Sequence, residues 1–456
     1  MVGMERTKMY IQEPEKRKNN FSLVSTGYTK DEAIEEAKRC LNCKIPQCSK
    51  ACPIQNRIPE FISEVKAGNF EKAYEIIKTK SLLSDICSTV CPHEKQCEGS
   101  CVRGIKGEPI AIGSIERFVS EWANENLKES YTKEPNGKKI AIIGAGPAGI
   151  SCALYLLSKG YKVVFYEKEN YVGGVLKWGI PSFRLSDKIV DNYYEKLKKM
   201  NAEFHFNYKV GKDNSLDDLL KNEGYDACFI GIGACSSNVM NIEGEDLKGV
   251  YSADDFLSKI NLSELKGDRR YFDECGERVL IVGGGNVAMD AARCAVRLPQ
   301  VKKVSIVYRR TEQEMPACSI ELEHAKEEGI EFLTLKNPVK FIGKDGKLTQ
   351  AECAVMVLGE PDASGRRRPV ESDEDHIFLD VDTCVLALGF SNEKEISMYT
   401  KDLEADKWGC FIVDENNMTS REGIYAGGDA VTGADTVVRA MKAGINAAKA
   451  IDTKLS

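Results

Sequence analysis

Apolar residues recur at three- and four-residue spacing through DEAIEEAKRC and PEFISEVKAGNFEKAYEIIK, and no alternating stretch interrupts them. The pattern therefore predicts helices up to about Asn126. The polar stretch NLKESYTKEPNGKK then gives way to the β-branched run KIAIIG, which sets a domain boundary near Lys133. Beyond it lie KIAIIGAGPAGISCALYLLSKGYKVVFYEKE and RVLIVGGGNVAMDAARCAVRLPQVKKVSIVYRR, about 140 residues apart. Each reads as strand, Gly-rich turn, helix and strand. Two such units predict two doubly wound α/β domains of the kind that bind dinucleotides.

Composition narrows the class. The 456 residues suggest about three domains. With 42% hydrophobic and 29% charged residues, the chain reads as globular rather than disordered or low in complexity. Its 63 Lys and Arg against 70 Asp and Glu leave a formal charge of −7, so nucleic acid is not the expected partner. No run approaches the roughly 20 apolar residues of a membrane span. The opening MVGMERTKMYIQEPEKRKNN also lacks the apolar core of a secretory signal, and a cytoplasmic location is the expectation.

Seventeen cysteines in such a chain point to metal or redox chemistry rather than a disulfide scaffold. Eight of them fall within 62 residues: Cys40-x2-Cys43-x4-Cys48-x3-Cys52-Pro, then Cys87-x3-Cys91-Pro-x4-Cys97-x3-Cys101. Thiolates at these spacings can converge on soft metal centres, and a trailing Cys-Pro resembles ferredoxin runs. Zinc is the competing reading, although zinc sites usually come as CxxC pairs. Eight cysteines could supply four ligands to each of two clusters. The other nine sit singly in apolar segments and are expected to be buried packing residues.

The first turn, Gly144-Ala145-Gly146-Pro147-Ala148-Gly149, is GxGxxG between strand and helix, and Glu167 follows Gly144 by 23 residues at the end of the next strand. Gly144 permits the tight turn, Gly146 lets the pyrophosphate approach the helix start, and Gly149 lets helix pack on strand. Glu167 is placed to accept hydrogen bonds from ribose hydroxyls. Gly173-Gly174 after that acid, and Gly427-Gly428-Asp429 after a late strand with a helix beyond, narrow the ligand to FAD. That late helix start would favour negative charge on a reduced flavin.

The second turn, Gly283-Gly284-Gly285-Asn286-Val287-Ala288, is GxGxxA, and its following strand ends in Arg309 and Arg310 rather than an acid. Arginine there pairs with a 2′-phosphate, so NADP(H) is expected over NAD(H). Other signals carry less. The four histidines are scattered, and Glu321 with His324 is expected on a solvated helix face. Arg366-Arg367-Arg368 reads as a solvated turn, with a docking patch as the minority idea. Trp178 could sit near the flavin or be an ordinary packed aromatic.

The order of these motifs resembles the small chain family of NADPH-dependent glutamate synthase. It is equally similar to the large subunit of NADH-dependent ferredoxin:NADP oxidoreductase, an electron bifurcator, and to the N-terminal half of dihydropyrimidine dehydrogenase. The likeness spans roughly Tyr28 to Ile451 and rests on CLNCKIPQCSKACP, CPHEKQCEGSC, GAGPAG, WGIPSFRL, GGGNVAMDAAR, LGEPDASGRRRPV and AGGDAVTGADTVV. It implies a helical domain with two 4Fe-4S clusters over 1–132, an FAD domain in two segments over 133–258 and 388–456, and an inserted NADP(H) domain over 259–387. One cluster would take Cys40, Cys43, Cys48 and Cys101. The other would take Cys52, Cys91, Cys97 and, from the IGSIERF stretch, Glu116, leaving Cys87 a bystander. A carboxylate ligand would shift the cluster potential. The resemblance also puts Val175, Arg184 and Val210 at the FAD, with Asp429, Ala430, Thr436 and Val437 along its ribityl chain and ring. Ala387 and Gly389 would lie near the nicotinamide.

The expected activity is electron transfer from NADPH through FAD to the clusters and on to a partner subunit. No acid or base residue is essential to hydride transfer, so no catalytic dyad is expected. These domains fill the chain and leave no room for an amidotransferase or a large substrate barrel. The partner is then a glutamate synthase large chain or, in a bifurcating assembly, a smaller flavin and iron–sulfur subunit, possibly with ferredoxin. A noncatalytic zinc module is opposed by two intact fingerprints, and a flavin disulfide reductase by the lack of a CxxC near either turn.

Overall fold

The computed structural model describes residues 5–128, 133–212, 214–264, 269–362 and 365–456. Part of the expected linker (129–132) and Ala363 and Ser364 of the LGEPDASGRRRPV motif lie outside them.

The N-terminal region is helical as its periodicity predicts. Its main helices are Lys30–Lys38, Ile58–Lys66, Phe70–Lys78, Ser84–Val90 and Ile112–Asn126. Thr29 starts the first with a capping box to Glu32. Their apolar faces close on Phe61, Ile62, Val65, Phe70, Ile77, Ile115 and Val119. The helix Ser84–Val90 also turns outward, and Leu83, Ile86 and Cys87 join the core of the next domain.

Two five-stranded sheets follow, each wholly parallel. The first runs Ile424–Ala426, Ala227–Ile230, Lys139–Ile143, Lys162–Tyr166, Glu203–His205. The second runs Val250–Ser252, Thr383–Leu386, Arg278–Val282, Lys303–Tyr308, Glu331–Thr334. Between the last two strands of that domain in sequence, an antiparallel meander over Lys336–Lys344, Lys347–Pro361, Arg367–Glu371 and Ile377–Asp380 replaces a crossover helix. Arg367 and Arg368 stand exposed on its third strand, so the triple-arginine run is partly strand rather than turn.

The expected division at residue 258 moves. It would cut the helix Ala253–Asn261, whose Phe256, Leu257 and Ile260 are buried in the core of the second sheet, and the strand Val250–Ser252 hydrogen-bonds into that sheet. The chain crosses between domains where Ser236–Ser237 pairs antiparallel with Phe390–Ser391. A three-residue strand has too little pattern to declare its sheet.

Residues 11–24 also depart from the expected helical domain, whereas Arg6, Thr7 and Met9 stay with it. Phe21 and Val24 are buried in the second sheet's core, and the Arg17 guanidinium is buried against Glu328 at 2.9 Å. No helix among the described residues is long and apolar enough to cross a membrane.

Candidate functional site

The first glycine turn is shaped by close contacts. Gly144 has φ +96° and a Cβ there would lie 2.6 Å from the Gly231 carbonyl oxygen, while a Cβ on Gly149 would lie 2.1 Å from the Gly144 carbonyl oxygen. Those glycines let strand and helix touch. Gly146 differs, because a Cβ there would meet nothing within 4 Å. It starts the helix Pro147–Ser158 with no side-chain cap, so no side chain among the described residues satisfies the first amide groups of that helix. Gly173 N–H donates to the Ala145 carbonyl at 2.9 Å, which sets Gly174 opposite Gly146. Val175, the first residue beyond, is 37% exposed, a large apolar side chain beside the slot.

A cavity continues from this slot, walled by Gly144, Tyr166, Glu167, Lys168, Tyr208, Val210 and Gly233. Glu167 is buried there and accepts from Ala145 N–H at 2.7 Å and Glu169 N–H at 2.9 Å. Burial raises its carboxyl, and those amides pull the other way. Gly428 lies against Ala148 of the first turn, Asp429 and Ala430 follow it after the strand Ile424–Ala426, and the C-terminal helix Val437–Leu455 begins at Thr436 without a side-chain cap. Thr436 Oγ1 is buried with no hydrogen-bond partner among the described residues. Burial lifts Asp429 to about 6. An uncapped helix start, an orphaned hydroxyl and a poorly solvated carboxyl suit a polar, hydroxyl-bearing ligand with a terminal acceptor, as FAD is. Arg184, also expected here, instead bonds Asp290 at 2.6 Å and Glu321 at 3.1 Å. Trp178 packs edge-on to Phe390, with ring centroids 5.9 Å apart.

The second turn repeats the first. Gly283 has φ +142°, and a Cβ there would lie 2.4 Å from the Ala387 carbonyl oxygen, which brings the expected Ala387 to this turn with Gly389 two residues on. Gly284 lies against the Tyr308 ring, Ala288 is buried and Val287 half-buried. Gly285 starts Asn286–Val296 uncapped, and Asn286 Oδ1 accepts from Cys318 N–H at 2.8 Å. The two arginines part company. Arg309 is exposed and makes no ion pair among the described residues. Arg310 is buried, pairing with Asp362 at 2.7 Å and donating to the Arg367 carbonyl at 2.6 Å. Both arginines lie in the bend just after the strand Lys303–Tyr308, and the partners of Arg310 leave Arg309 as the one turned to solvent.

The cysteines form two groups. Cys40, Cys43, Cys48 and Cys101 line one apolar cavity with Ile58, Ile62 and Ile110, and Asn42 in the left-handed region (φ 47°) bends the chain between the first pair. Burial pushes Cys48 up to about 11, and its three neighbours oppose its ionisation further. The second group is Cys52, Cys91, Cys97 and Glu116. Burial raises Cys52 and Cys97; the charges of Glu116 and Cys91 add to it at Cys52, and those of Glu98, then Cys52, Cys91 and Glu116, at Cys97. Cys91 is raised by its contact with Cys87 and by burial. Burial lifts Glu116 to about 8, and Asp85 adds to it. Acidic groups gathered where anions are penalised fit a cationic centre that would compensate them. Cys87, expected to be a bystander, is buried beside Cys91. Among the described residues no three His, Cys, Asp or Glu side chains stand close enough to hold a single metal ion. Of the nine scattered cysteines seven are buried, while Cys235 and Cys410 are half-buried.

One group escaped the sequence reading. Glu321 and His324 are buried rather than solvated, and Glu321 bonds Arg184 and Arg293. Arg293 and Arg297 also meet Glu328, and both guanidinium groups lie over the Phe183 ring, at 4.7 and 4.0 Å. Part of the WGIPSFRL motif therefore forms the seam between the two dinucleotide domains. The Arg/Glu spacing on Asn286–Val296 and Ser319–Glu327 was the available signal, but the partners are remote in sequence.

Comparison with known proteins agrees with this anatomy. Residues 17–128 match the family model described as dihydropyrimidine dehydrogenase domain II, 4Fe-4S cluster, and residues 138–444 match that of pyridine nucleotide-disulphide oxidoreductases. The glutamate synthase [NADPH] small chain of Escherichia coli is 36% identical over 95% of this chain and 94% of its own length. The NADP(+)-dependent formate dehydrogenase subunit beta of Moorella thermoacetica is 37% identical over 90% of this chain and 60% of its own. Among solved structures, Mycobacterium tuberculosis FprA in complex with NADPH shares the fold, with a TM-score of 0.59 at 20% identity over 71% of this chain and 85% of that one. This chain belongs to the glutamate synthase [NADPH] small chain family and, over residues 138–444, to the pyridine nucleotide-disulphide oxidoreductases.

Proposed function

We propose that the chain is the electron-input subunit of a larger oxidoreductase, taking electrons from NADPH and passing them through FAD and two 4Fe-4S clusters to a second redox subunit. When bound, FAD supplies the conversion of a two-electron hydride into single electrons, and iron–sulfur clusters carry those one at a time. The protein's part is to hold and insulate. Gly146 and Gly174 shape the pyrophosphate slot, Glu167 receives the ribose, and Asp429 and Thr436 receive the ribityl chain and ring. Gly283, Gly285 and Arg309 serve the second nucleotide, with Ala387 and Gly389 beside it. Cys40, Cys43, Cys48 and Cys101 would hold one cluster, and Cys52, Cys91, Cys97 and Glu116 the other.

One observation carries the reading. The helix Ser84–Val90, which ends at Cys91, is seated on the C-terminal helix whose start faces the flavin slot, with Leu83 N–H 3.3 Å from Met441 Sδ. The second cysteine group is therefore packed directly onto the flavin domain, as short-range electron transfer requires. The partner proposed is a glutamate synthase large chain. The likeness to a formate dehydrogenase subunit favours keeping a second reading, in which the same input module serves another redox partner, including a bifurcating one that couples to ferredoxin.

The test is analytical. Anaerobically prepared protein is assayed for FAD, iron and acid-labile sulfide, and examined by electron paramagnetic resonance after NADPH addition. The reading expects one FAD and about eight iron per chain, with cluster signals after reduction. Zinc without iron would overturn it.

A further inference from the structure

We propose that Glu94 and Lys95 of the helical domain are positioning residues for the nucleotide at the second glycine turn, and that through them occupancy of that turn is felt at the second cysteine group. This rests on the function proposed above and gives it a direct route between its two ends. Both residues lie between Cys91 and Cys97, in the short turn His93–Lys95. Lys95 Nζ donates to the Pro316 carbonyl at 2.6 Å and to the Ala317 carbonyl at 3.3 Å. Glu94 Oε1 accepts from Ser319 N–H at 2.8 Å. Ser319 opens the helix Ser319–Glu327, and the residue before it, Cys318, gives that helix no side-chain cap. A carboxylate from another domain therefore takes the place of the cap, where amide groups lack partners and negative charge is favoured.

The segment so held rests on the nucleotide turn. Ala317 N–H donates to the Gly284 carbonyl at 3.2 Å and Cys318 N–H to Asn286 Oδ1 at 2.8 Å, while a Cβ on Gly285 would lie 3.9 Å from the Pro316 ring. At its other end the bridge is built tightly into the second cysteine group. Glu98 N–H and Gly99 N–H both donate to the His93 carbonyl, at 3.0 and 3.2 Å, and a Cβ on Gly99 would lie 1.9 Å from the Glu94 carbonyl oxygen. Glu98 Oε1 accepts from Gly113 N–H at 3.0 Å, and a Cβ on Gly113 would lie 2.4 Å from the His93 ring, one helical turn before Glu116. A cavity lined by Cys91, Glu94, Cys318 and Ser319 opens beside the bridge, so polar bonds rather than apolar packing span the gap at this point. Contacts this close cannot adjust singly, and a shift at one end is passed to the other. Such coupling is reciprocal: a nucleotide that favours one arrangement of the cysteine group is itself bound more tightly by it.

The test uses the cluster-loaded chain and 2′-phospho-ADP-ribose, the part of NADP that lacks the nicotinamide and so cannot be reduced. Its affinity is measured by calorimetry for the parent, Glu94→Ala, Lys95→Met and Lys95→Arg. Electron paramagnetic resonance spectra of the dithionite-reduced proteins are recorded with and without it. The proposal expects binding to weaken about three- to fivefold in Glu94→Ala and in Lys95→Met, the scale of an exposed charged contact, and to recover in Lys95→Arg. It also expects the fragment to alter the resonance of one cluster in the parent and in Lys95→Arg, and to leave the spectra of the other two variants unchanged. Unchanged affinity in both variants, a parent spectrum indifferent to the fragment, or a loss that Lys95→Arg does not restore would overturn the role. So would a matching loss of FAD, which would mark general damage to the fold. The two readings fail separately: a parent chain that holds zinc without iron sinks the proposed function, and the calorimetric series, which needs no cluster, still decides whether Glu94 and Lys95 position the nucleotide.

Discussion

Arg184 and Asp290 meet at 2.6 Å across the seam between the two dinucleotide domains, and Glu321 takes the same guanidinium at 3.1 Å. All three are buried or nearly so, and burial pushes Asp290 up to about 6 even with the arginine beside it. Removing the cation leaves the buried Asp290 carboxyl without its ion-pair partner, while Glu321 keeps Arg293. Arg184→Met should therefore destabilise the chain by about 3–5 kcal/mol, and adding Asp290→Leu should recover part of that. Melting temperatures of the three proteins decide it, and an R184M chain as stable as its parent would remove the seam from the account.

The glycines of the first turn make opposite predictions. Gly149→Ala puts a Cβ 2.1 Å from the Gly144 carbonyl oxygen and should disrupt the packing of helix on strand, lowering stability. Gly146→Val meets no protein atom, at least at its Cβ. That variant should melt near the parent temperature while losing most of its FAD, read as flavin absorbance per chain after gel filtration. Full flavin content in G146V would remove the pyrophosphate slot from this turn.

Arg309 and Arg310 should separate in the same way. With Arg310 tied to Asp362 and the Arg367 carbonyl, Arg309 is the side chain left to meet a 2′-phosphate. Loss of one charge-assisted contact is worth about 1.5–3 kcal/mol. Arg309→Ala should then raise the KM for NADPH roughly 10- to 100-fold with little change for NADH, whereas Arg310→Ala should chiefly lower stability. Equal losses with both nucleotides in R309A would contradict the assignment.

His324 makes stability depend on pH. Burial, with the Arg293 cation adding to it, holds this imidazole down to about 4, and neither ring nitrogen has a hydrogen-bond partner among the described residues. An unfolded histidine titrates near 6.5, so between about 6.5 and 4 the unfolded chain binds the additional proton. The stability from this group is complete above pH 6.5 and is lost as pH falls toward 4, at most about 3 kcal/mol. Asp429 and Asp290, both raised to about 6, act in the opposite sense over part of that range. The difference between the parent and His324→Leu isolates the histidine. The leucine variant should hold its melting temperature better from pH 7.5 to 5, and parallel losses in both proteins would refute the assignment.

What could be read in the sequence was local and steric. A GxGxxG turn needs glycines where strand, loop and helix touch, so both turns, their helices and the parallel strands beside them are where the motifs put them. The cysteine runs likewise disclosed a site because few other folds tolerate so many thiols at that spacing. Long-range relationships stayed hidden. Val250–Ser252 is too short for its pattern to declare which sheet it joins, which is why the expected boundary at 258 lies inside the second domain. Glu321 and His324 look like a solvated face until Arg184, 137 residues earlier than Glu321 in the chain, arrives from the other domain. Arg17 gives no sign in the sequence that it will be buried against Glu328, 311 residues away.

The central claim, that NADPH feeds both a flavin and iron–sulfur clusters in this one chain, is tested most directly by anaerobic titration with NADPH and separately with NADH, following flavin and cluster absorbance. The account predicts that NADPH bleaches both chromophores at lower concentration than NADH does, with more than one NADPH consumed per chain because the clusters fill after the flavin. Bleaching of the flavin alone, with the clusters left oxidised, or a preference for NADH, would contradict it.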